Sequence, residues 1–238
     1  IYGIYELSEQ IGVSPWYDWA DVPVLEQRNI SLAKGTYTAG EPAVKYRGIF
    51  LNDEAPCLTG WVKNTYGTNF GDHRFYARVF ELILRLRGNF MWPAMWGWAF
   101  YADDPLNSKT ADDMGIVMST SHHEPMARNH QEWTRNSKQY DGVWDYNKNP
   151  EGLQKFFREG IERAKDTEDI ITIGMRGDGD AELAGSDEDN IRMMEGLFED
   201  QRQIIKEVTG KKPNQTPQVW ALYKEVQTYY NKGLRVPD

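Results

Sequence analysis

The chain has 238 residues, 40 % hydrophobic and 26 % charged, enough for one large domain or two small ones around a real core. A formal net charge of −9 with no run of Lys or Arg excludes nonspecific binding to nucleic acid or to an anionic membrane. No apolar run approaches the roughly 18 residues that span a bilayer, and Cys57, the only cysteine, rules out an internal disulfide and a cysteine-based zinc site.

In chain order, the region 1–24 reads as a short helix and then an extended, proline-punctuated aromatic segment, with loops or edge strands up to about residue 45. Five strand–helix units follow. "YRGIFLND" (46–53) predicts a buried strand ending in polar residues, and "HRFYARVFELILRLRG" (73–88) a helix with Gly88 as C-cap. "NFMWPAMW" (89–96) is the second strand, and 105–115 a short helix ending at Gly115. "IVMSTSHHEPM" (116–126) is a strand with a polar tip, followed by an amphipathic helix over 151–166. "IITIGMRGDGD" (170–180) repeats the pattern before a helix over 189–210 with an Asp/Asn start and a Gly stop. "PQVWALYKE" (217–225) is the fifth strand, and 226–233 opens another helix.

Alternating β and α elements with short strands predict a parallel sheet with helical crossovers, either an open doubly wound sheet or a (β/α)8 barrel. Every strand carries its reactive residues at its C-terminal end. These are Asn52, Asp53 and Glu54; Trp92, Trp96 and Trp98; His122, His123 and Glu124; Arg176, Asp178 and Asp180; and Glu225. A barrel would bring all five tips to one face, so the pattern favours a barrel, incomplete at about five units. The division is then a lead-in over 1–45 and a partial barrel over 46–238. The start at Ile1 and the stop at "GLRVPD" read as cut ends of a longer protein.

Each tip has a plain reading beside the chemical one. "RGDGD" is either an ordinary acidic turn or a loop whose glycines let the backbone turn while carboxylates project beside Arg176, which can pair with a substrate carboxylate or a neighbouring aspartate. Arg176-Gly177-Asp178 as an adhesion tripeptide is a chance match. A calcium loop starting at Asp178 fails at Leu183, where glycine is needed, and there is no phosphate-binding glycine motif. "SHHEPM" lacks the second histidine of a zinc helix, Ala127 standing in its place. On extended backbone His122 and His123 point to opposite sides, as do Lys224 and Glu225. Trp98 and Tyr101 are the better candidates for stacking on a sugar ring, and Trp92 for the core.

Taken together, "KYRGIFLNDEAP", "LRLRGNFMWPAMW", "DDPLNSKTADDMGIVMSTSHHEPM", "TIGMRGDGD" and "TPQVWALYKEVQTYYNKG" resemble the catalytic barrel of glycoside hydrolase family 115, the xylan α-1,2-glucuronidases. The resemblance implies hydrolysis, with inversion, of the bond joining (4-O-methyl)glucuronic acid to xylan, by one carboxylic acid and one carboxylate that activates water. It implies Glu225 as general acid and Asp180 as base or water-positioning residue. Asp53, with Glu54 as its rival, Trp98, His122, His123, Arg176 and Asp178 would bind substrate, with Arg176 neutralising the uronate. Neither a cofactor nor a metal is implied. The implied partner is glucuronoxylan or its oligosaccharides, with further domains that leave room for a homodimer and a secreted or periplasmic parent protein. The family's later strands lie beyond Asp238, so the chain alone is expected to be an inactive fragment. A noncatalytic carbohydrate-binding remnant and a metal-dependent hydrolase are the alternatives.

Overall fold

The computed structural model describes residues 1–93 and 96–237. Residues 94 and 95 of the 89–96 run lie outside the described residues. A first helix, α1 (Tyr2–Gln10), is followed by a stretch to residue 47 without helix or strand. Then come β1 (Gly48–Phe50), α2 (Cys57–Tyr66), α3 (His73–Arg85), β2 (Phe90–Trp92), α4 (Phe100–Asp103), α5 (Leu106–Met114) and β3 (Val117–Ser119). The chain continues through α6 (His130–Asn136), α7 (Pro150–Ala164), β4 (Asp169–Thr172), α8 (Asp187–Thr209), β5 (Gln218–Val219) and α9 (Glu225–Asn231).

The strands form one parallel sheet in the order β1-β2-β3-β4-β5. Sequential parallel neighbours joined by helices are the staves of a partial (β/α)8 barrel, and their C-terminal ends lie on one rim. The core forms where helices meet the sheet. On α3, Phe75, Tyr76, Val79, Phe80 and Ile83 are buried at helical spacing, each such side chain contributing about 1.5–3 kcal/mol. The helix starts where Asp72 accepts from the N–H groups of Arg74 and Phe75. It ends at Leu86, with Arg87 rather than Gly88 in the left-handed conformation (φ 62°). Gly88 is required for a different reason, since a Cβ there would lie 2.9 Å from the Arg47 carbonyl.

Two further departures matter. The first strand is exposed along its length, not buried. Helices α2, α4 and α6 had no counterpart in the sequence reading; α6 begins with a capping box in which Asn129 and Glu132 satisfy each other's ends. Gly160 of α7 allows a close helix-to-loop approach: a Cβ there would sit 2.1 Å from the Met126 carbonyl. That contact fixes the loop leading from β3 to α6, which carries the histidines.

Candidate active site

The β4 tip is the centre. After Thr172 the backbone runs through Gly174, clamped on both sides by Gln201, whose Oε1 accepts from Gly174 N–H (2.7 Å) and whose Nε2 donates to its carbonyl (3.1 Å). A tight turn over 177–180 follows. Gly177 is needed for close approach, since a Cβ would lie 2.8 Å from the Glu182 carbonyl. Gly179 (φ 62°) and Asp180 (φ 68°) are both left-handed, a conformation glycine adopts freely and aspartate tolerates.

Arg176, only 2 % exposed, gathers the charges of this tip. Its Nε and Nη2 donate to Glu225 Oε1 and Oε2 at 2.9 and 2.6 Å, and its Nη1 donates to the Asp180 carbonyl at 2.5 Å and to the Asp180 carboxylate. The structure thus brings Asp180 and Glu225 together on one guanidinium. Burial works against the charge on Arg176, but its bonds to Glu225 and Asp180 outweigh it and raise its pKa. Burial likewise tends to raise the pKa of Asp180, and the Arg176 bond together with His122 and His123 brings it below the ordinary value.

Both histidines turn toward Asp180. His122 Nε2 lies 2.8 Å and His123 Nδ1 3.9 Å from Asp180 Oδ1, and the two rings are 4.9 Å apart. The expectation that they face opposite sides fails because residues 122 and 123 form a turn rather than extended backbone. Burial lowers the pKa of His122 and takes that of His123 down to about 3. Neutral His122, donating from Nε2 to Asp180, accepts on Nδ1 from Ser121 Oγ at 3.0 Å.

Glu225 is not at a strand end. It is the first residue of α9, and the preceding Lys224 takes φ 50°. That turn, not strand alternation, sets the two side chains, so Lys224 Nζ reaches within 3.6 Å of Asp180 Oδ2 instead of pointing to the side opposite Glu225. Arg176, Asp180, Lys224 and Glu225 line a cleft of about 530 Å³.

The other expected site residues have other surroundings. Asp53, 2 % exposed, accepts from three backbone N–H groups: Trp96 (2.9 Å, Oδ1), Gly97 (2.6 Å, Oδ2) and Trp98 (2.5 Å, Oδ2). It braces the β2 loop. Glu54 is exposed, and its carbonyl accepts from Leu58 and Thr59 at the start of α2. Trp98 and Tyr101 are 2 % and 5 % exposed, Trp98 packing edge-on against Phe75 and Tyr101 bonding Asp169, so neither presents a stacking face. Trp96 is the exposed ring, and Trp92 is half-buried. Asp178 Oδ1 lies 2.8 Å from His130 Nε2, and the Gly179 N–H is directed at the same nitrogen at 2.9 Å. His130, Lys224 and Tyr223, whose ring lies 4.4 Å from that of His122, were missed as site residues. The N-x-x-E signature at 129–132 was the signal for the helix that carries His130.

His122, His123 and Asp180 offer three ligand atoms within 4.8 Å of one another, a set that can hold a metal ion. The Arg176 guanidinium already sits on the same Asp180 oxygen and the Lys224 ammonium stands by the other, so a cation would enter against two positive charges.

Residues 39–238 match the family model for glycosyl hydrolase family 115. A solved structure, a 4-O-methyl-α-glucuronidase of that family with specificity for decorated arabinogalactans, superposes with a TM-score of 0.89 at 37 % identity. The match covers 99 % of this chain and 32 % of that one, so this chain spans about a third of the relative's length. No curated protein matches.

Proposed function

Since the chain belongs to glycosyl hydrolase family 115, we propose that it carries the acid–base centre of an enzyme removing α-1,2-linked glucuronic acid, 4-O-methylated or not, from a neutral polysaccharide, glucuronoxylan in the first instance. The observation that carries this is the gathering of Asp180 and Glu225 on the buried Arg176 at the edge of one cleft. Because the solved relative is much longer, the proposal assigns turnover to a protein in which these five strands stand beside the rest of a barrel.

Glu225 protonates the glycosidic oxygen as the bond to the anomeric carbon breaks. Asp180, with His122 on its Oδ1, takes a proton from water as the water oxygen bonds that carbon from the opposite face, inverting it. Arg176 holds both carboxyl groups in place, gives four of its five N–H groups to Asp180 and Glu225, and is buried. Lys224, its side chain 49 % exposed, is therefore the cation better placed to meet the sugar's carboxylate.

Release of free glucuronic acid from glucuronoxylan by the full-length protein tests the reading. EDTA-resistant release is expected, falling by about 10²–10⁴-fold in Glu225→Gln and in Asp180→Asn. Binding of the oligosaccharide without release would reduce the protein to a carbohydrate-binding module. Loss of activity in EDTA, restored by a divalent ion, would make the His122, His123 and Asp180 group a metal site instead.

A further inference from the structure

A second cleft of about 540 Å³ lies on the other side of the turn over 177–180. Asp178 and Gly179 line it, Asp180 lines the first cleft, and buried His123 stands between, lining the second while its Nδ1 faces Asp180. Among the described residues no hydrogen bond satisfies that nitrogen. One wall of the second cleft is Trp96, 52 % exposed. The backbone that carries this indole is braced. The Trp96 backbone N–H donates to Asp53 Oδ1 (2.9 Å), its carbonyl accepts from Gln131 Nε2 (2.8 Å), and the next carbonyl, Gly97, accepts from Arg135 Nη2 (3.0 Å). Exposed Thr134 and the Asp178 carboxylate, its side chain 65 % exposed, line the same cleft.

We propose that this cleft is the binding site for a neutral pyranose, the backbone sugar that bears the glucuronyl group, with Trp96 as its stacking platform and Thr134 and Asp178 as hydroxyl partners. The inference rests on the proposed function and extends it. An exposed aromatic face in one cleft with hydroxyl and carboxylate groups is the chemistry of a neutral sugar ring. The two clefts differ in the cations they present. Lys224 and Arg176 line the first, among the carboxylates of Asp180, Glu182, Asp187 and Glu225, and half-exposed Lys224 is the cation there for the uronate. The second presents Asp178 and no Lys or Arg among its described lining residues, so an acidic sugar is disfavoured there. A ligand straddling the turn places one ring on each side. The identity of the backbone polysaccharide is then read by Trp96 and Thr134, not by the charged residues.

The test is a titration of the full chain, by calorimetry, with three probes: glucuronate, β-1,4-xylotriose and a β-linked galactobiose. Trp96→Ala is expected to weaken the neutral sugar that binds by about tenfold or more and to affect glucuronate far less. Lys224→Ala should do the reverse. Thr134→Arg, at an exposed position, fills the same cleft and covers the case in which Trp96→Ala fails to fold. Neutral sugars that bind equally to wild type and both cleft variants, or that do not bind wild type at all, overturn the proposal. Trp96-dependent binding of a neutral sugar without any binding of glucuronate would instead overturn the proposed function and leave this subsite standing.

Discussion

Two aspartates sit at two strand tips on the same rim and have opposite fates. Asp53, after β1, has both oxygens taken by the backbone N–H groups of residues 96–98. Asp180, after β4, is held by side chains: Arg176, His122 and Lys224. Backbone donors are fixed by the fold, so Asp53 is part of the scaffold and locks a loop. Side-chain donors can rotate and exchange protons, which suits Asp180 to the base role proposed above, on a left-handed backbone (φ 68°) that aspartate tolerates. What separates these two carboxylates is the kind of partner, not burial alone.

Isosteric amides give the sharpest break of that comparison. In Asp180→Asn the remaining oxygen can keep His122 and Arg176, and the new NH2 replaces only the oxygen 3.6 Å from Lys224. Stability should fall by about 1 kcal/mol, while glucuronic acid release falls by the two to four orders of magnitude given above. In Asp53→Asn either orientation of the amide points an NH2 at a backbone N–H. A loss of about 2–4 kcal/mol is expected, read as a shift in urea midpoint, with the β2 loop and neutral-sugar binding at Trp96 affected together. Equal stability losses in the two variants would erase the distinction.

A smaller effect comes from the packing that supports the β3 tip. Gly160→Ala pushes a methyl into the Met126 carbonyl and should cost about 1–3 kcal/mol, with the His122 and His123 loop displaced. An unchanged urea midpoint would show that α7 can shift without disturbing the site.

The order of strands and helices was legible because α3, α7 and α8 bury apolar residues at helical spacing and because glycines at 115 and 210 end helices in the left-handed conformation. The positions of Arg176, Asp180 and Glu225 on one rim followed from that order. Which way neighbouring side chains face did not, because it depends on backbone turns at 122–123 and on the φ of Lys224, and neither leaves a pattern in residue type. The role of Asp53 was invisible for another reason: its partners are backbone amides of a loop more than forty residues away, and every residue except proline offers one. Trp98 and Trp96 were exchanged for the same cause. The loop held by Asp53 turns the first into the core and the second outward.

Glu124 extends the contrast to a third carboxylate, and its pH dependence is the mildest test. It is fully buried, with the backbone N–H of His130 at 2.9 Å and of Ser121 at 3.3 Å, and burial pushes its pKa up to about 8. A folded pKa raised above the unfolded value of 4.5 gives stability that is complete below 4.5 and is lost as pH rises toward 8. His123 acts the other way. Its folded pKa of about 3 lies below the unfolded 6.5, so its contribution is present above 6.5 and is lost as pH falls toward 3. The two slopes oppose each other between 4.5 and 6.5. Above 6.5 only the glutamate's slope remains of this pair, at most about 1.4 kcal/mol per pH unit. Urea midpoints measured from pH 6.5 to 8 should therefore fall in the wild type and flatten in Glu124→Gln, which mimics the protonated acid. A parallel fall in both would mean that the buried glutamate is ionised, and that backbone donors alone suffice to hold a charged carboxylate beneath this rim.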